Sequence, residues 1–154
     1  MHGSPSENST EAVNRASSTR PVINAAQRFV VVKAPIDCVY EQWSHIEELP
    51  RFITSIREVR KIDDTHFCYV WRPNGEDKQG ILHIVLQIPG RRIAWRTISN
   101  GFVSGVVSFE PRSEQETEVT LKIRSIFDPS NLSRRLEEYL GNFKRLVENE
   151  EAIS

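Results

Sequence analysis

The sequence predicts an α+β domain, a curved antiparallel sheet of about seven strands wrapped around a long C-terminal helix, with two short helices after the first strand. Three observations carry that reading. From Ile56 to Phe127, apolar and polar residues alternate in short runs separated by turn residues, which is the period of half-buried strands. From Leu132 the period changes to that of an α-helix. Ahead of the alternating runs, one strand-like segment is followed by two short amphipathic stretches that cannot enclose a core alone.

Met1–Asn24 is rich in Ser, Asn, Thr and Glu without an apolar period and reads as a disordered tail, which leaves residues 25–154 as a single domain. Asn8-Ser9-Thr10 matches a glycosylation sequon, and without secretion that match is chance. Ala26–Lys33 is the first strand. Ile36, Val39, Tyr40 and Trp43 then fall at i, i+3, i+4 and i+7, one stripe of a short helix, and Pro35 at its start loses no hydrogen bond. Pro50 pushes Leu49 away from helical geometry. A second short helix is therefore expected near Pro50, with a kink at Leu49-Pro50 and with Ile46, Leu49, Phe52 and Ile53 on its apolar side.

Six strands follow. Ile56–Ile62 ends at Asp63-Asp64. His66–Arg72 places Phe67, Tyr69 and Trp71 on one face and turns at Pro73-Asn74-Gly75, where Asn-Gly is the strongest short hairpin signal. Lys78–Gln87 alternates Leu82, Ile84 and Leu86 and turns at Pro89-Gly90. Arg92–Ile98 places Ile93, Trp95 and Thr97 together and turns at Asn100-Gly101. Phe102–Glu110 aligns Val103, Gly105, Val107 and Phe109, and a polar loop, Pro111–Glu116, leads to Glu118–Phe127, with Val119, Leu121, Ile123 and Phe127 in alternation. Short turns force antiparallel neighbours, and the alternation buries one face. After Asp128-Pro129-Ser130, Leu132, Leu136, Tyr139, Leu140, Phe143, Leu146 and Val147 recur at helical spacing. That helix is about 20 residues and roughly 30 Å long, and its stripe must lie along the sheet.

A formal net charge of −1 argues against a nucleic-acid footprint. No run approaches about 18 apolar residues, so no membrane-spanning helix is expected. The N-terminus carries no apolar signal region, which points to a cytoplasmic chain with Cys38 and Cys68 as reduced thiols.

Several local motifs, in order, resemble the START-like, or helix-grip, superfamily, and most closely its branch of polyketide cyclase/dehydrase and lipid transport proteins, which includes coenzyme-Q-binding relatives. Val39-Tyr40 with Trp43, then Leu49-Pro50-Arg51-Phe52, resembles the helix pair of that family. Val59-Arg60 with Asp63-Asp64-Thr65 resembles its first meander strand and turn. Pro89-Gly90-Arg91-Arg92-Ile93-Ala94-Trp95-Arg96 is similar to its most recognisable strand, and Gly105–Phe109 to its penultimate one. Arg134-Arg135-Leu136-Glu137 and Phe143–Glu148 resemble its terminal helix. The resemblance covers residues 26–150 or so and implies an apolar cavity between sheet and long helix, holding a lipid, isoprenoid quinone or polyketide-like molecule. It carries over no catalytic residue. The chain departs from the family in a short connection, Asp128–Ser133, before the helix, and in carrying Ile81, His83 and Val85 where the family usually places acidic or polar residues. Apolar residues on both faces of that strand point to a homodimer contact, or to Ile81 and Val85 packed under a loop.

The inward-parity aromatics Trp43, Phe52, Tyr69, Trp71, Trp95, Phe109, Tyr139 and Phe143, with Leu82, Ile84, Leu121, Leu136 and Leu140, are the expected ligand lining. Periodic aromatics more often simply fill a core. Tyr69 and Tyr139 offer hydroxyls to a polar ligand end. None of His2, His45, His66 and His83 shows a zinc-ligand spacing, and no cofactor fingerprint, P-loop or nucleophile elbow is present. His45 beside the kink, with Glu47 and Glu48, is an acid–base candidate at the mouth, although a surface histidine is the plainer reading. Arg72, Arg96 and Arg124 read as a solvated outer face. The leading function is binding or transport of a hydrophobic molecule without catalysis. The rivals are an aromatase/cyclase using the same cavity and a protein-interaction domain with a filled core. The enzyme reading requires His45, Arg51, Tyr69 or Tyr139 to face a pocket with a second polar group in hydrogen-bond reach. Passage of a ligand is expected beside the Leu49-Pro50 kink.

Overall fold

A computed structural model describes residues 24–72, 75–98, 103–125 and 131–153. The chain runs β1 (Asn24–Val32), α1 (Ile36–Ser44), a 3₁₀ helix (Ile46–Arg51), β2 (Ile56–Lys61), β3 (His66–Trp71), β4 (Lys78–Ile88), β5 (Arg92–Thr97), β6 (Val103–Ser113), β7 (Glu116–Ser125) and α2 (Leu132–Ile153). The strands form one antiparallel sheet in the order β1-β7-β6-β5-β4-β3-β2. β2 to β7 is a meander, and β1 returns to pair with β7. This is the expected helix-grip arrangement. The tail up to residue 23, Pro73-Asn74, Asn100-Gly101 and Asp128-Pro129-Ser130 lie outside the described residues.

Three local expectations are corrected. The break between the short helices falls at His45 (φ −80°, ψ 79°), not at Leu49-Pro50. Pro50 sits inside the 3₁₀ helix, whose turns close through Glu48 N–H to His45 O and through Phe52 and Ile53 N–H to Leu49 O, so the missing proline donor is not required. Second, β6 continues through Pro111 to Ser113, and β7 begins at Glu116 after a two-residue turn. A register shift between Pro111 and Ser113 absorbs the proline. Third, Leu86 does not continue the inward alternation of Leu82 and Ile84. The register shifts between Ile84, which opposes Trp95, and Leu86, which opposes Ala94, leaving Val85 as a bulge. Beyond it the faces exchange: Leu86 and Ile88 are exposed on the outer side, and Gln87 turns inward to donate to the Tyr40 hydroxyl at 3.1 Å.

The helix α2 has three faces. Leu136, Leu140, Phe143 and Val147 are buried against the sheet. One flank is hydrogen-bonded to β1 and the residue after it: Arg28 Nε donates to Glu137 at 3.1 Å, Lys144 Nζ to Val31 O at 2.8 Å, and Lys33 N–H to Glu148 at 2.8 Å. The other flank is bonded to the 3₁₀ helix and the turn after it: Tyr139 and Ser55 hydroxyls at 2.8 Å, Asn142 Nδ2 to Phe52 O at 3.1 Å, and Arg51 to Glu150 at 2.9 Å. The helix residues are 7 and 4 positions apart in the first set and 3 and 8 in the second, so each set lies along one side of the helix.

Candidate functional site

The expected lining residues separate into two groups. At the α1 end, Trp43, Phe52, Phe109 and Phe143 pack ring on ring. Trp43 lies 4.8 Å from both Phe52 and Phe143, and Phe52 lies 4.9 Å from Phe143. Trp43 and Phe109 meet edge-on at 6.4 Å. Trp43 is 1% exposed and Phe52 and Phe143 are 0%. Leu121, Leu136 and Leu140 close the cluster. These rings satisfy one another in tilted and edge-to-face contacts. Leu82 and Ile84 are nearly as buried, and Ile84 opposes Trp95 across the strands.

Toward the opposite end of the sheet the inner aromatics Tyr69, Trp71 and Trp95 are only partly buried, as is Tyr139 on α2. Tyr69 pairs with Gly80, and Trp95 with Gly105. A Cβ at Gly80 would stand 2.5 Å from the Tyr69 hydroxyl, and one at Gly105 would stand 2.4 Å from the Trp95 ring. Each ring therefore lies down across the neighbouring strand, in space that only a missing side chain provides. Lying flat, Tyr69 reaches a hydrogen bond with Thr97, and Trp95 reaches toward Ile123. Burial pushes the Tyr69 phenol up, with the Thr97 bond acting against it.

Near Tyr139, a pocket of about 540 Å³ opens between the first turns of α2 and the Thr54-Ser55 turn, lined also by Asn131, Arg134, Arg135 and Glu138. It lies where the second row of helix bonds ends, beyond the Ser55–Tyr139 pair. A second hollow of about 370 Å³ lies at the His45 bend, against Lys61, Asp64, Phe67, Ile84 and Gln87. His45 is half-exposed there, 3.7 Å from Glu48. The Leu49-Pro50 segment is sealed instead: Leu49 and Phe52 are buried, and Arg51 joins Glu48 to Glu150. Of the four residues that the enzyme reading depends on, Tyr139 meets the geometric condition through Ser55. Tyr69 has a polar partner in Thr97 but lines neither pocket, and Arg51 is spent on carboxylates. Among the described residues no three His, Cys, Asp or Glu side chains gather as a metal-binding group, and no helix is long and apolar enough to cross a membrane.

The polyketide cyclase/dehydrase and lipid transport family matches residues 32–150. The chain belongs to this family. An uncharacterised 17.2 kDa protein of Streptomyces lincolnensis is 28% identical over 124 residues, 80% of this chain and 81% of that protein. A Deinococcus radiodurans crystal structure superposes with a TM-score of 0.70 at 25% identity, covering 81% of this chain and 98% of the other. The Zhui aromatase/cyclase from a Streptomyces species gives 0.64 at 16% identity over 82% and 94%, and a START superfamily protein from Mycobacterium smegmatis 0.65 at 14% over 84% and 99%. At those identities the likeness is one of fold.

As a member of this ligand-binding family, the chain holds the expected helix-grip scaffold. Gly80, Gly105, Thr97 and Ser55 were not among the expected site residues. The signal for the glycines was present, because each sits opposite an aromatic once the hairpin registers are drawn. Ser55 had no signal, since its partner is 84 positions away.

Proposed function

We propose that this protein binds a hydrophobic small molecule, without transforming it, at the end of the interior lined by Tyr69, Trp71 and Trp95. The pocket between α2 and the Thr54-Ser55 turn is the route in. The observation that supports the reading is the pair of aromatic rings laid flat on glycines. Among the described residues no other ring packs on their faces, unlike those of the Trp43 cluster. Apolar faces with a few convergent hydroxyls are the usual make-up of a small-molecule site. The Ser55–Tyr139 and Tyr69–Thr97 pairs supply those polar groups.

Titration with a dansylated fatty acid tests this. Binding is expected to be saturable, and Trp95→Ala is expected to weaken it at least tenfold while the protein stays folded by circular dichroism. Equal affinity in the parent and in Trp95→Ala refutes the site. A second reading, a cyclase acting on a polyketide, draws on the Tyr139–Ser55 geometry. It requires turnover of a polyketide-like substrate that Tyr139→Phe abolishes.

A further inference from the structure

Two histidines that look isolated in the sequence are brought together by strand register. His66 on β3 directly opposes His83 on β4. Ile84 N–H donates to Thr65 O at 2.8 Å, so the two histidines occupy a non-hydrogen-bonded pair, where facing side chains come closest. Their rings are 4.3 Å apart and within 6° of parallel. They stand on the outer face, opposite in parity to the buried Phe67 and Leu82.

Each ring has a distinctive nitrogen. His66 Nδ1 is 3.0 Å from the Asp63 carboxylate and 3.0 Å from the Thr65 hydroxyl. A carboxylate only accepts, so Nδ1 carries the proton and the free lone pair sits on Nε2. Asp63 is itself fixed by the backbone N–H groups of Thr65 and His66 at 2.9 and 2.8 Å. On the other ring, His83 Nδ1 is buried with no hydrogen-bond partner among the described residues. A histidine oriented by a carboxylate, beside a second imidazole whose Nδ1 has no hydrogen-bond partner among the described residues, is a donor arrangement that transition metals use.

We propose that His66 and His83 form a two-nitrogen site for a divalent transition-metal cation, with Cu(II) preferred over Ni(II) and Zn(II), on the outer face of the sheet. Solvent completes the coordination. Imidazole donors with few carboxylates favour these ions over magnesium or calcium. The stacked rings open toward each other as the metal enters. Arg96, which opposes His83 on β5, is the nearby cation and limits the affinity.

Copper titration followed by calorimetry and electron paramagnetic resonance tests the site, in a His2→Ala background that removes the histidine beside the amino terminus. Binding at micromolar concentrations is expected, with two imidazole nitrogens in the spectrum. His66→Gln or His83→Gln is expected to leave one nitrogen and lose at least tenfold in affinity, and Asp63→Asn about tenfold. His83→Phe keeps the ring stack without a nitrogen, so loss of binding with an unchanged melting temperature separates ligation from packing. Arg96→Ala is expected to tighten binding severalfold. A spectrum and affinity in His83→Phe matching those of the parent overturn the proposal, as does no binding by the parent.

Discussion

At one end of the interior four aromatic rings touch one another; at the other, two rings touch glycines. Both sets border the same interior, yet they do different work. Trp43 meets Phe52, Phe109 and Phe143, Phe52 meets Phe143, and all four are buried, so removing any one leaves a void. Tyr69 and Trp95 rest on the backbone of Gly80 and Gly105, and each is only partly buried. A large side chain thus fills space or bounds it, depending on what stands across the strand from it.

Mutations can break this contrast. The largest effect belongs to the ring cluster: Phe143→Ala is expected to cost about 3–5 kcal/mol in urea unfolding, the range for a buried aromatic truncation. Trp95→Ala is expected to cost roughly half as much or less, because its ring is not surrounded. Equal losses would erase the distinction. Next comes Gly105→Ala, which forces the Trp95 ring off the sheet and costs about 1–3 kcal/mol through overpacking. Adding Trp95→Leu to that variant is expected to recover most of the loss, and a double-mutant cycle measures the coupling. Smaller again is Tyr139→Phe, expected to cost about 1 kcal/mol by removing the Ser55 hydrogen bond while leaving the ring in place.

The smallest effect is a pH dependence. Burial raises the Glu148 carboxyl, but the Lys144 ammonium and the Lys33 N–H outweigh it and hold the group below its usual value of 4.5. A carboxyl depressed in the folded state stabilises above its unfolded value, and that contribution is lost as pH falls through the folded one. Melting temperature should therefore decline below about pH 4.5, and Glu148→Gln should flatten part of that decline.

The sequence made the strand-and-helix order readable because period and turn chemistry are local. The α2 stripe from Leu136 to Val147 is the clearest instance: each apolar residue falls where a helix buries it. Local reading failed where a single extra residue changes parity. Nothing in Ile84-Val85-Leu86 announces a bulge, because both neighbours are apolar and either face would accept them. It also failed at Pro50, where a breaker of α-helix is harmless within a 3₁₀ turn. The ligand lining was legible as a set but not as two groups. The difference lies in Gly80 and Gly105, and only register places them under Tyr69 and Trp95. His66 and His83 were invisible as a pair for the same reason.

The two rows of hydrogen bonds along α2 have a kinetic consequence. From Glu137 to Glu150 the helix is fastened on both flanks, whereas its first turn, Leu132–Arg135, borders the open pocket. Such a helix cannot lift as a unit without breaking both rows together. It unzips from its N-terminal end. Amide protons near Leu136 therefore exchange through brief local openings, while those near Phe143 and Val147 wait for the whole domain to unfold. The same helix keeps two clocks, and the faster one runs beside the pocket.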